Sequence, residues 1–110
     1  MPESSERGAL TEAVFYILLS LYKPMHGYTI VQNIDVLSAG RVVLGAGTLY
    51  GALGTLVAKG WIAAAGTSGP SRKKEYLITD EGKTMVVQEI VRLKELIAQG
   101  EAVTKGGHDA

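Results

Sequence analysis

Arg72, Lys73 and Lys74 stand in a row and form the densest charge in the chain. Upstream, Gly47-Thr48-Leu49-Tyr50 sets a hydroxyl and a phenol two positions apart. Cations beside hydroxyl donors are the groups that hold phosphate oxygens. The wider charge pattern agrees. Residues 36–79 carry five cations against one carboxylate, while the flanking segments are acidic and the whole chain of 110 residues is neutral. A positive middle between acidic ends points to a local site for a polyanion rather than a generally basic surface. The alternatives are a solvated charge run at 72–74, and a Thr48 that caps while Tyr50 packs.

Other chemistries find no residues. Cysteine is absent, which removes disulfides and thiolates and fits a reducing compartment. The only histidines are His26 and His108, the second in a glycine-rich tail, whereas zinc needs three or four ligands. His26 is expected to be structural, at the start of a helix. With no histidine paired to an acid and no phosphate loop, no catalytic residue, metal or cofactor is assigned, and the chain is not expected to be an enzyme.

The elements that must position the cations follow from periodicity. Apolar residues at 10, 14, 17, 18 and 21 have helical spacing; Thr11 suits the N-cap, Leu10 can staple onto Phe15, and Pro24 ends the helix. The rest of that helix is also apolar, so it is either central or covered by a second chain. A second helix is expected over 26–37, stopped by Ser38-Ala39-Gly40, and a third over 46–59, with Leu49, Leu53, Leu56 and Val57 inward and Gly60 as its stop. Residues 41–44 have room only for a minimal edge strand. Residues 61–65 and 73–79 read as two strands joined by a turn-rich linker, and residues 80–99 as a final helix, acidic at its start and ended by Gly100.

Three helices, a β-hairpin and a last helix describe an α+β, mostly helical fold: a winged helix-turn-helix over residues 10–79, with a C-terminal dimerisation helix over 80–100 and flexible tails over 1–9 and 101–110. In such a domain the third helix enters the major groove of double-stranded DNA and the hairpin reaches the backbone. The longest apolar run, about ten residues, is half a membrane span. The first seven residues lack the features of a signal peptide, so a soluble chain with no membrane contact is expected.

The residues then match a family. Pro24-Met25-His26-Gly27-Tyr28, Gly47-Thr48-Leu49-Tyr50 with Ala52-Leu53, Lys59-Gly60-Trp61-Ile62, and the run from Arg72 to Thr79 followed by Gly82 stand in an order and spacing that resembles the PadR family of bacterial transcriptional regulators. The resemblance covers roughly residues 10–97, and its short C-terminal part resembles the smaller members. It implies a cytoplasmic winged-helix homodimer that binds operator DNA, usually as a repressor, and releases it when an effector appears. A small apolar effector is therefore a further expected partner.

On this reading the DNA-binding residues are Thr48, Tyr50, Thr55, Arg72, Lys73 and Lys74. Thr48 and Tyr50 fall in the first turn of the third helix, where free amides and the dipole attract phosphate. Strand alternation sends Lys73 and Lys74 to opposite faces, so at most one reaches DNA directly. The sequence departs from the family pattern at Gly51 and Gly45, where proline and serine are common. The outward face of the third helix is then Gly47, Gly51, Gly54 and Ala58, with Thr48 and Thr55 beside it. It lacks Arg, Lys, Asn and Gln, the side chains that tell bases apart by paired hydrogen bonds. Either the backbone approaches closely, with Thr55 or Ala58 on thymine methyls and DNA shape completing the readout, or sequence-specific binding is weak. The second possibility is that of a dimeric adaptor or small-molecule sensor.

In the last helix Val86, Ile90, Leu93 and Ile97 repeat at heptad spacing. With Phe15 of the first helix they are the expected dimer interface. A two-fold dimer sets its recognition helices about 34 Å apart and calls for a palindromic operator.

Overall fold

The computed structural model describes residues 9–107. The first helix, α1 (Glu12–Ser20), starts as its sequence requires: the Thr11 hydroxyl accepts the Val14 amide at 3.1 Å. A two-residue strand β1 (Met25–His26) leads into α2 (Gly27–Leu37), and a loop then leads to α3 (Ala46–Lys59). The hairpin is β2 (Ile62–Ser68) with β3 (Lys73–Ile78), and α4 (Asp80–Ala102) follows, ending in a wide turn over Val103–Gly107. The three strands form one antiparallel sheet in the order β1-β3-β2.

Each element contributes one apolar face to a single core. Ile17, Leu18 and Leu21 meet Ile30 and Ile34 of α2, Leu49, Leu53 and Leu56 of α3, Ile62 and Ile78 of the sheet, and Val86 of α4. Leu37 and Val57, which the helical pattern turns inward, stay largely exposed at the ends of their helices.

One junction fastens the hairpin to both neighbouring helices. Gly60 closes α3 with φ +80°, and the amides of Gly60 and Trp61 return to the carbonyls of Val57 and Leu56, the Schellman pattern. The Thr79 hydroxyl donates to the Gly60 carbonyl (2.7 Å) and accepts the Gly82 amide (3.1 Å), so one side chain caps α4 and ties it to the end of α3.

Two expectations about elements are corrected. Residues 41–44 form no strand: the Val42 amide bonds the buried Ser38 hydroxyl (3.0 Å), and Arg41 pairs with Glu12. The edge of β3 is taken by β1 instead, with Met25 opposite Tyr76 and His26 opposite Glu75. Nor does Gly100 end the last helix. A glycine stops a helix where the chain turns left-handed, as at Gly60; Gly100 keeps helical geometry, and α4 runs on to Ala102. Helix and wide turn thus extend over 101–107, the first part of the segment read as a tail. Residues 1–8 and 108–110, including His108, lie outside the described residues.

Candidate nucleic-acid interface

The hairpin tip is a four-residue loop, Gly69 to Arg72, closed by the Arg72 amide on the Gly69 carbonyl (3.0 Å). Arg72 itself sits at φ +56°, a left-handed conformation unusual for a residue with a side chain. A register irregularity between Ala64 and Thr67, with Gly66 at φ +105°, interrupts the β2–β3 pairing. Such irregularities increase local twist and re-aim the strand ends. Arg72, Lys73 and Lys74 are all exposed. The two lysines diverge as alternation demands: Lys73 Nζ lies 5.9 Å from the centre of the Tyr28 ring at the start of α2, and Lys74 Nζ lies 5.5 Å from that of Tyr76.

Thr48 is exposed in the first turn of α3, whose N-cap, Gly45, supplies no side-chain bond. The opening amides of the helix therefore face outward without a side-chain cap. Tyr50 is 54% exposed, yet its ring lies against Gly27. A methyl placed on Gly27 would fall 2.8 Å from Tyr50 Cζ and closer still to its hydroxyl. Gly27 is thus the seat of the Tyr50 phenol, a close packing of α2 against α3. The Thr55 hydroxyl donates to the Gly51 carbonyl (3.2 Å), and the side chain lines a cavity with Leu10 and Trp61 on the α1 side of the helix. Its hydroxyl proton is committed within the helix. No atom comes within 4 Å of a methyl built at Gly47, Gly51 or Gly54, so the protein's own packing does not require glycine on this face.

His26 is the N-cap residue of α2; its Nε2 is 3.1 Å from the Thr29 hydroxyl, which holds the ring on the first turn of the helix.

The proposed interface residues of α1 and α4 separate into two groups. Val86 is 2% exposed and packed in the chain's own core, so it is closed to a second copy. Phe15 and Leu93 are half-buried; Ile90 is 37% and Ile97 58% exposed. The open strip therefore starts one turn later than the heptad reading places it.

Sequence reasoning missed two residues. Tyr28 is 63% exposed and carries Lys73 over its ring, a contact between residues 45 positions apart. Glu89 is 3% exposed beside Val86 and receives both Arg92 Nε (2.9 Å) and Nη2 (2.6 Å). The spacing of Glu89 and Arg92 is visible in the sequence; the burial is not. The Arg92 hydrogen bonds hold the Glu89 carboxyl below the ordinary carboxylate range, against the opposing effect of burial, with the Arg92 charge and the Leu10 amide adding to the lowering. Because the folded value is depressed, this group's contribution to stability is full above the ordinary carboxylate range and is lost as pH falls through the depressed value. Wild-type thermal midpoints should therefore drop on acidification below about pH 4, and Glu89→Gln should flatten that part of the curve; a parallel drop in the variant would refute the assignment.

A helix pair, a third helix with open amides, and a cationic hairpin on the same side define a winged helix-turn-helix. The chain belongs to the PadR-like family of transcriptional regulators, whose family model matches residues 14–88. Members of that family are transcriptional regulators and not enzymes.

Solved structures agree on the fold. A PadR-like transcription factor from Bacteroides fragilis is 23% identical with a TM-score of 0.72, covering 93% of this chain and 97% of its own. A PadR family regulator from Eggerthella lenta is 26% identical with a TM-score of 0.64, covering 84% and 80%. PadR of Bacillus subtilis, solved in complex with operator DNA, is 24% identical with a TM-score of 0.64 over 73% of this chain and 47% of that one. No curated protein matches the chain. Among the described residues no helix is long and apolar enough to cross a membrane.

Proposed function

We propose that the chain acts in the cytoplasm as a homodimeric, effector-responsive repressor that holds a palindromic operator through α3 and the wing. The observation that carries this reading is the common surface of Lys73, Tyr28 and Tyr50, which joins the wing to the helix pair. Thr48, Arg72 and one lysine of the wing extend it along a duplex. The residues of α3 carry no base-reading amide or guanidinium on their outward face, so holding is by the sugar–phosphate backbone and specificity by DNA shape and methyl contacts.

The dimer of this proposal forms along Ile90, Leu93 and Ile97 with Phe15 of the partner or the same subunit. Support comes from the exposure of Ile90 and Ile97 on a helix of 23 residues whose second half contacts little else of its own chain. Ile90→Glu should convert dimer to monomer in light scattering at micromolar concentration; an unchanged mass would remove α4 from the interface. The effector of this proposal occupies the cavity of about 370 Å³ between α1 and α4, where Phe15, Tyr16 and Leu93 offer apolar walls and Glu12, Glu89 and Arg92 a charged edge.

Titration against the DNA upstream of its own gene, at several salt concentrations, tests the reading. Nanomolar binding that weakens several-fold or more as salt doubles is expected of a regulator. The bare face of Gly47, Gly51 and Gly54 favours a second reading, a dimeric adaptor or sensor. Binding no tighter than to random DNA would select it.

A further inference from the structure

Among the described residues three tyrosines are exposed and four lysine–aromatic contacts form, and one combination brings two tyrosines to a single cavity with a lysine against one of them. Tyr22 faces Lys83 at 5.6 Å, Lys74 lies over the buried Tyr76, and Lys59 and Trp61 edge the cavity beside α1, which holds no second aromatic ring. Tyr28 is different. It is the most exposed of the tyrosines, it faces Lys73, and with Tyr50 it walls a cavity of about 230 Å³. The floor of that cavity is aliphatic, formed by Val31, Leu44 and Leu49. Two phenols therefore wall an apolar hollow between α2 and α3, and the Lys73 ammonium stands against one of their rings.

That combination is amphiphilic in the way a nucleic-acid backbone is. A deoxyribose presents carbon to an aliphatic floor, and its phosphate presents oxygens that accept from phenol and ammonium donors. Resting on the DNA-binding reading above, we propose that this hollow seats one sugar–phosphate unit of the duplex, with Tyr28 as a backbone contact that also positions Lys73. The ring of Tyr28 lies at the outer range of a cation–π contact with the Lys73 ammonium and restrains a side chain that is otherwise free to rotate. Gly27 serves the same hollow, because any side chain there would displace the Tyr50 phenol that forms the opposite wall. A chain whose recognition face is bare gains from such an anchor: it fixes the depth and register of α3 without a base contact.

The test uses the full-length protein and fluorescence anisotropy with the upstream duplex and a random duplex of equal length. Tyr28→Phe should weaken both complexes about threefold and Tyr28→Ala about tenfold, the range of a lost hydrogen bond and a lost contact. The salt slope should stay at the wild-type value in Tyr28→Phe, which removes no charge and keeps the ring against Lys73. In a Lys73→Ala background, Tyr28→Ala should weaken binding by less than it does alone, because the positioning role has gone. Tyr28→Phe keeps the ring and therefore the fold, so a loss of folding in Tyr28→Ala leaves the conservative variant to decide. Wild-type binding with both Tyr28 variants unaffected, or full additivity with Lys73→Ala, overturns the proposal alone. A wild-type chain that binds neither duplex overturns the regulator reading, and this hollow's role with it.

Discussion

Gly82→Ala should lower the thermal unfolding midpoint by more than about 10 °C, by overpacking worth on the order of 3 kcal/mol in a domain of this size. Two effects oppose each other at this position. Within a helix, alanine is favoured over glycine by about 1 kcal/mol. But a methyl on Gly82 lies 2.7 Å from Ile78 Cγ1 and overlaps the Trp61 carbonyl oxygen. That carbonyl is backbone, fixed in turn by the Thr79 amide at 3.0 Å, so it has no rotamer by which to yield. Relief requires the first turn of α4 to lift away from the hairpin, which strains the Thr79 cap and its bond to Gly60. Gly100→Ala, in the same helix with no atom within 4 Å of the new methyl, is the control. It should raise the midpoint by a few degrees, following the ordinary helix preference of about 1 kcal/mol. Scanning calorimetry on the two variants decides. Equal shifts would show that Gly82 is tolerated for reasons other than contact.

Removing the wing cations should produce the largest change in DNA binding with no change in fold. Arg72, Lys73 and Lys74 are exposed and take no part in the core, so the triple alanine variant should melt within a degree or two of wild type. Opposite-facing lysines leave about two phosphate contacts per subunit, and a dimer presents two wings. The dependence of log affinity on log salt should become shallower by roughly 1 for each contact, or about 4 in all. Near physiological salt the affinity should fall on the order of a hundredfold, equally for operator and random sequence. Single variants refine the expectation. Lys73 faces Tyr28 and the helix pair, while Lys74 faces Tyr76 of its own strand. Lys73→Ala should therefore weaken binding more than Lys74→Ala; the reverse order would mean that the wing meets DNA with its other face. An unchanged salt slope in the triple variant would take the wing out of the interface altogether.

Much of this architecture is local and could be read from the chain. The Thr11 cap, the Gly60 stop and the inward set Leu49, Leu53 and Leu56 depend on residues within one or two helical turns of each other. The hairpin needs only two short strands and the turn residues between them. The divergence of Lys73 and Lys74 follows from the two-residue period of a strand. The motif order was enough to indicate the family, and the family model agrees with it over residues 14–88.

Only the folded chain decided the remainder, and in each case the cause is contact between distant segments. Met25 and His26 are too few to show any period; they are a strand because β3 offers them a free edge some fifty residues later. Val86 fits a heptad seam as well as Ile90 does, but the wing domain reaches just far enough to bury the first and leave the second open. Glu89 is hidden because α1 lies across it, with Arg92 folded back to compensate the charge. Tyr28 meets Lys73 only after the hairpin closes over α2. Periodicity records which face of an element is apolar; which neighbour covers that face, and how far along it, is set by the packing of the whole.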